Sequence, residues 1–561
     1  MLRLLLLCVL LATCGPRQTT DPATRPSSAS QQAAHKRIVA GIRSNPAGLY
    51  AKLTTSRYTS APIEGLVNVG FSALDDQLNL QPRLAEAVPT LENGLWKVAP
   101  DGRMEITWTL RPGIRWHDGT PFTAEDAVFT TTVVQDERLP DFGDSKYRFL
   151  EKVEAKDSRT VVSTWKQPFI EADRLFTTDL GMLVPRHLLE PTYHEDPSRF
   201  LDLPYWSHEF IGTGPYKLRD WVLGSHLVVE ANDQYVLGRP KIDLIEVRFI
   251  TETAGLTANI LAGAVELTLG TTGLSLEQAI EVRDRWTDGK VHTAPANLRR
   301  LSPQLMTPNP AVIGDVQFRR ALLYAVDRQE IIDTLEGGLT SVPLSFLPPN
   351  RPEFREVEAN IPRYDFDPRR AMQLIEELGY SRAGDGSFRE RSGGPLRVEI
   401  RTTAGDDNQT KIMFAVGDFW ERVGVGVDPV LVPPQQTQDR QAQATRPAFW
   451  LSGSPSGLEG LANLHSSQVP TADNNWVGAN FPRYANAEYD ALYERYLVTI
   501  PRAERMQVLS QALHHIATQL PVLGVYYRVA PTMITNRLVG VGPVQVVGHQ
   551  AWNAHEWDLT R

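Results

Sequence analysis

The residue types that do chemistry are present in this chain, but they are not spaced to do it. Its twelve histidines include no HExxH and no HxH pair, the local spacings with which two imidazoles grip zinc. His514 and His515 are neighbours, and on a helix neighbouring side chains diverge by about 100°, so they do not chelate one ion. His194-Glu195 runs into Pro197 and reads as solvated loop. Gly453-Ser-Pro-Ser-Gly457 has the outline of a nucleophile elbow, yet Pro455 stands where the serine would attack. Gly540-Val-Gly542 lacks the third glycine of a dinucleotide loop, and no phosphate-binding P-loop occurs. No catalytic residue, metal site or cofactor is therefore expected. Scattered triads leave no local mark, so a secreted hydrolase stays as a minor alternative. What the residues offer is recognition. Asn475-Trp476 sets an aromatic face beside amide groups, a suitable wall for a polar ligand with apolar patches; core or rim packing is the other reading of Trp476.

Composition narrows the class. At 561 residues the chain exceeds one simple core and has room for two or three lobes. A net charge of −9 argues against nucleic acid or an anionic membrane surface as partner, because both reward clustered Lys and Arg. No internal stretch approaches the roughly 18–20 apolar residues of a membrane span. The N-terminus differs. Arg3 precedes the apolar run Leu4 to Ala12, and residues 1–13 read as an export signal. Leu11-Ala12-Thr13-Cys14 resembles a lipobox, in which Cys14 is lipidated and becomes the first mature residue. Thr13 departs from the usual Gly, Ala or Ser, and ordinary secretion is the alternative. The only other cysteine, Cys8, lies inside the signal, so cleavage leaves no disulfide. Residues 14–35, rich in Ser, Thr, Pro, Gln and Ala, read as a tether that holds the protein at the outer face of the cytoplasmic membrane or in the periplasm.

The elements that must position any site follow from turn and periodicity signals. Arg37 to Gly41 reads as a first strand and Met104 to Leu110 as an alternating one. Thr123 suits the N-cap of a helix over Ala124 to Val134, with Asp126 placed to reach back to the cap. Tyr216 to Trp221, Leu227 to Glu230 and Ile245 to Ile250 read as antiparallel strands, joined through Gly224-Ser225 and through Gly238 and Pro240. Asp315 caps an amphipathic helix carrying Phe318, Ala321, Leu322, Ala325, Val326 and Ile332 up to Gly337-Gly338. Another begins at Asp367-Pro368 and stops before Gly379. Leu396 to Arg401, a helix over Ile412 to Val423, and Gly426 to Val432 form a βαβ unit. Asn486 to Leu497 and Arg502 to Leu520 give two more helices.

Several of these segments share an order of residues with one family. Ile211-Gly-Thr-Gly-Pro-Tyr-Lys-Leu218, then Trp221, Asn232-Asp-Gln-Tyr235 and Gly238-Arg-Pro-Lys-Ile-Asp243, resembles the GTGPYKL block of the solute-binding proteins of peptide-type ABC importers, extracellular solute-binding protein family 5. Arg111, Gly113, Asp118, Gly119, Pro121 and Thr123-Ala-Glu-Asp126 fall in register with a second block, where they read as turn and cap residues. Arg319-Arg-Ala-Leu-Leu-Tyr-Ala-Val-Asp-Arg328 resembles a third. The resemblance implies an α/β fold: a two-lobed, periplasmic-binding-protein-like clam with an extra α/β domain in the first lobe. It places lobe one at 36–61, 206–290 and 511–561, the extra domain at 62–205 and lobe two at 291–510.

It also implies a site in the cleft between the lobes. Peptide-binding relatives carry W-x-x-D in the second lobe, the tryptophan beside the ligand and the aspartate on its ammonium group. Here the run is Phe449-Trp-Leu-Ser-Gly-Ser-Pro-Ser456: Trp450 matches, and Gly453 stands where the aspartate should be. An ammonium buried there without a carboxylate is unpaired at a cost of several kcal/mol. Unless Glu459 or a carboxylate elsewhere substitutes, or the loop aligns differently by a few residues, peptides with a free amino end are disfavoured. Ser452, Ser454 and Ser456 offer neutral partners for sugars, blocked peptides or similar polar ligands. Thr213 is a further candidate, as backbone contact or as hinge-side structure. The implied partners are a small-molecule ligand, ABC permease and ATPase subunits, and the membrane through Cys14; the protein is expected to be a monomer that binds no nucleic acid. A sensory or scaffold lipoprotein is the alternative role.

Overall fold

The computed structural model describes residues 35–53, 57–143, 145–177, 182–271, 273–390, 393–543 and 549–560. The expected signal at 1–13, Cys14 and all but the last residue of the tether lie outside the described residues, and the fold below is that of the unit Lys36–Arg561.

A ten-stranded mixed sheet organises the chain. From one edge it runs Gly426–Val432, Arg397–Thr403, Phe449–Ser454, Gly289–Pro303, Leu523–Thr535, Leu267–Thr268, Arg37–Ile42, Leu244–Phe249, His226–Ala231 and Tyr216–Val222. Its two middle strands are the long ones among the described residues, at 15 and 13 residues. They pair antiparallel from Gly289 opposite Thr535 to Leu301 opposite Leu523, and the register slips between Pro295 and Leu298. At that slip Ala296 and Asn297 stand against Arg528 alone, the two-against-one geometry of a β-bulge, which bends a strand and re-aims its side chains. On the Thr535 side of the bulge the next neighbour is Leu267–Thr268, and on the Pro303 side it is Phe449–Ser454. The bulge therefore divides the sheet into two halves that share two strands.

The first half holds the expected antiparallel meander from Tyr216 to Phe249. Its turns use Gly224 and Gly238 at φ 74 and 103, backbone that glycine adopts without a steric penalty. Arg37–Ile42 lies parallel to Leu244–Phe249, and Ile38, Leu227, Ile245 and Trp557 fill the core beneath. In the second half, Arg397–Thr403, the helix Asp407–Arg422 and Gly426–Val432 form the expected parallel βαβ unit, with Ile412, Met413, Val416 and Trp420 buried on the sheet. A separate antiparallel sheet of Trp96–Val98, Met104–Thr109, Thr160–Trp165 and Leu150–Ala155 lies within the span expected for the extra domain and has its own core around Trp108, Trp116 and Trp165. The helix Ala124–Val134 begins as expected, with the Asp126 carboxylate accepting from the Thr123 N–H at 2.9 Å.

Two readings are corrected. The single helix from Asp315 to Gly337 is two, Val316–Tyr324 and Arg328–Leu335. Asp327 caps the second by accepting from the Glu330 N–H, and Arg328 is drawn inward to the carbonyls of Pro343, Gly524 and Tyr364. His194-Glu195 closes a helix, Arg186–Glu195, in place of the expected loop; both residues are exposed, as expected, and an Arg186–Glu190 ion pair at 2.9 Å supports the turn before them. The helix Arg502–Gln519 runs unbroken through residues 510 and 511. Among the described residues no helix is long and apolar enough to cross a membrane.

Candidate ligand-binding site

The strand Phe449–Ser454 pairs with Gly289–Pro303 without a slip: Ser302 faces Trp450, Arg300 faces Ser452, Arg299 faces Gly453 and Leu298 faces Ser454. Side chains alternate along a strand. Phe449 and Leu451 enter the core under the helix Asp407–Arg422, where the rings of Trp420 and Phe449 lie 5.1 Å apart. Trp450, Ser452 and Ser454 therefore share the opposite face, and Gly453 falls on the side of Leu451. Trp450 is buried, Ser452 half-buried and Gly453 exposed. Among the described residues the buried hydroxyls of Ser452 and Ser454 have no hydrogen-bond partner, while Ser456 donates to the Ala296 carbonyl.

On the Trp450 face two guanidinium groups lie in the interior. Arg300 donates to the Ser302 hydroxyl at 2.6 Å, and burial pushes its pKa down to about 10. Arg446, 2 % exposed, donates to the carbonyls of Ser302, Phe481 and Gln443 at 3.0, 2.8 and 3.0 Å. Burial, then the charges of Arg300, Arg401 and Arg483, push it down to about 9. Its Nε has no partner among the described residues. Beside it opens a cavity of about 290 Å³, walled by Trp476, Arg440, Arg446, Gln438 and Phe481. The loop carrying Trp476 is pinned by backbone geometry: Asn475 and Trp476 hold φ 55 and 60, the Trp476 N–H reaches the Thr471 carbonyl, and a Cβ on Gly478 would stand 2.1 Å from the Gln468 carbonyl oxygen. Trp476 is half-buried with Arg483 5.7 Å over its ring, and Asn475 is exposed.

On the other face, a Cβ built on Gly453 would lie 3.2 Å from Arg299 Nη1 and 3.8 Å from Asn297 Nδ2. Arg299 is 7 % exposed, its Nε has no partner among the described residues, and Asp406 stands 3.6 Å from its Nη2. These arginines were not among the candidates. The Arg299-Arg300 doublet within a strand was the available signal, since buried charge is rare without a partner or a use.

Thr213 is part of a joint. Its hydroxyl donates to the Val69 carbonyl at 2.8 Å, and its N–H and hydroxyl both reach Asn68 Oδ1. A Cβ on Gly212 or Gly214 would come within 2.1 or 2.4 Å of the Val67 backbone, so only glycine permits the contact. His117 closes the joint: Nδ1 accepts from the Gly212 N–H at 3.2 Å and Nε2 meets the Gly214 carbonyl at 3.1 Å. Burial pushes this imidazole down to about 4, so it is neutral with the proton on Nε2. The histidine pair at the helix end is split: His515 meets the Tyr484 hydroxyl, and His514 the Asn360 carbonyl. Among the described residues no group of three His, Cys, Asp or Glu could hold a metal.

A model of the bacterial extracellular solute-binding proteins, family 5 (middle region), matches residues 79–475. The chain belongs to that family. It is 24% identical over 542 residues to the oligopeptide-binding protein AppA of Bacillus subtilis, covering 93% of this chain and 92% of that one. It is 30% identical over 393 residues to protein XP55 of Streptomyces lividans, covering 70% and 66%. Its fold matches the Thermus thermophilus oligopeptide-binding protein complexed with a pentapeptide, with TM-score 0.72 and 22% identity over 93% of this chain and 96% of that one. It also matches NikZ of Campylobacter jejuni in complex with Ni(L-His), with TM-score 0.72 and 21% identity over 93% and 99%. The chain is thus a family 5 substrate-binding protein of the ABC-transporter type, with the two-lobed mixed α/β fold of that group.

Proposed function

We propose that this family 5 protein captures a small polar ligand between its lobes by hinge closure and delivers it to an ABC permease. One observation carries the reading: among the described residues the two halves of the large sheet share the strands Gly289–Pro303 and Leu523–Thr535, and their register slips where the halves meet. Bending there moves one half against the other without breaking either core, and a ligand touching both sides favours the closed state. The proposed contacts are Trp450, Ser452, Gly453 and Ser454 at the strand end beside the slip, with Trp476 at the neighbouring cavity and Asn475 next to it in sequence. Thr213 is assigned to the scaffold, since its hydroxyl is already engaged. The proposed division keeps lobe one, the extra domain and lobe two, with the chain returning to lobe one along Leu523–Thr535. Lipidation of Cys14 would hold the monomer at the membrane, and no catalytic step is proposed. Relatives of this fold bind a pentapeptide or Ni(L-His), and the unpartnered serine hydroxyls support a polar ligand here. Mass spectrometry of small molecules released from the purified protein, with calorimetry and X-ray scattering on their return, tests the reading. A released compound that rebinds and contracts the protein is expected. No bound compound and no contraction across a broad ligand panel would overturn it.

A further inference from the structure

Resting on that cleft reading, we propose that Gly453, Asn297, Arg299 and Arg528 form an oxyanion subsite, which takes a carboxylate or phosphate group of the ligand. Gly453 is exposed, and the space its missing side chain leaves ends on Arg299 Nη1 and the Asn297 amide. Arg299 is more than nine-tenths buried, with an Nε that has no partner among the described residues, and a buried guanidinium with free donors recruits a planar or tetrahedral oxyanion in preference to any neutral group. Asn297 and Arg528 meet at the bulge between the two halves of the sheet, so an oxyanion bridging them would sit at the hinge.

The acids nearby do not fill the role. Asp406 is the cap of the helix Asp407–Arg422, accepting from the Gln409 N–H at 2.9 Å and from the Gln409 amide, and it approaches Arg299 only to 3.6 Å. Burial works to raise its pKa, but the Gln409 hydrogen bonds and the charges of Arg299 and Arg528 hold it below the ordinary carboxylate value. Glu336, 2 % exposed, accepts from the Val529 N–H, and burial raises its pKa toward the neutral form. The Arg528 side chain has no hydrogen-bond partner among the described residues; burial and then Arg299 lower its pKa. Two guanidinium groups thus face one engaged carboxylate and one carboxyl shifted toward neutrality. The chemistry is the reverse of an ammonium site: the ligand brings the negative charge, and the protein the positive.

The test is equilibrium dialysis of the full mature protein against four matched pools: random acetylated tripeptides with free carboxyl ends, the same peptides amidated, sugar phosphates, and the corresponding free sugars. Mass spectrometry reads what is retained. Retention confined to the free-acid pool or to the phosphate pool is expected, and which of the two is enriched identifies the source of the oxyanion. Affinity for the retained compound should fall at least tenfold in Arg299→Ala. It should fall likewise in Gly453→Asp, an exposed change that supplies the counter-charge from within and guards against misfolding of the first variant. Equal retention of amidated or sugar pools with contraction of the protein, or unchanged affinity in Gly453→Asp, would overturn the subsite and leave the cleft reading standing. Retention from no pool, without contraction, would overturn both.

Discussion

Arg299 and Gly453 face each other across two paired strands, and the guanidinium ends 3.2 Å from where a Cβ on Gly453 would stand. The side chain that glycine lacks on one strand is thereby answered by a charge on the next. Gly453→Ala should be nearly neutral for stability, because only the end of a flexible side chain must move. Gly453→Asp should be more stable than Gly453→Ala by about 1–2 kcal/mol, the scale of a charge-assisted hydrogen bond. Urea unfolding of the two variants measures the difference; equal midpoints would show that Arg299 does not reach the space.

Trp476 walls a cavity of about 290 Å³ and is only half-buried. Trp476→Ala should leave the melting temperature almost unchanged while lowering affinity for the captured ligand at least tenfold. A large drop in melting temperature with intact binding would mark Trp476 as packing.

The Gly214 joint should not tolerate a methyl group. A Cβ there would lie 2.4 Å from the Val67 carbonyl carbon and 2.6 Å from the Asn68 nitrogen, both backbone atoms. Gly214→Ala should cost about 3 kcal/mol or more. Gly224→Ala, in open space at φ 74, should cost about 1 kcal/mol. Soluble yield and thermal melts of the two separate the effects.

The break between Val316–Tyr324 and Arg328–Leu335 rests on Asp327, whose carboxylate accepts from the Glu330 N–H at 3.0 Å. Asp327→Ala should cost about 1 kcal/mol and Asp327→Asn much less, because asparagine caps as well. Chemical denaturation would show the order, and equal losses would assign the effect to charge.

His117 should make the fold acid-sensitive. Its folded-state pKa of about 4 lies below the ordinary 6.5, so the unfolded chain takes up this proton first as pH falls. Its contribution is complete above pH 6.5 and is lost progressively down to about pH 4. Asp173, pushed up to about 7 by burial, works in the opposite sense, its contribution present below 3.8 and lost as pH rises toward 7. Comparison with His117→Gln isolates the histidine: the variant should melt lower at pH 7 but lose less between pH 6.5 and 4. Parallel pH profiles would remove His117 from the account.

Local signals in the sequence carried most of the elements and the family. Gly224, Gly238 and Pro240 punctuate the meander, Thr123 and Asp367 announce helix starts, and the apolar spacing around Ile412 marks the βαβ helix, because each depends on residues a few positions apart. The break at Asp327 was not legible, since the apolar spacing continues through it and the pull on Arg328 comes from carbonyls at Pro343, Gly524 and Tyr364. The glycine at 453 was visible in the chain alone. Its counterpart was not: Arg299 lies 154 positions earlier and meets Gly453 only through strand register, while Arg528 and Asn297 converge only through a bulge. Sequence determined which residues could form strands, caps and turns. Tertiary pairing decided which of them face one another, and hence the charge a ligand would meet, because register across a sheet is set by contacts between strands remote in sequence.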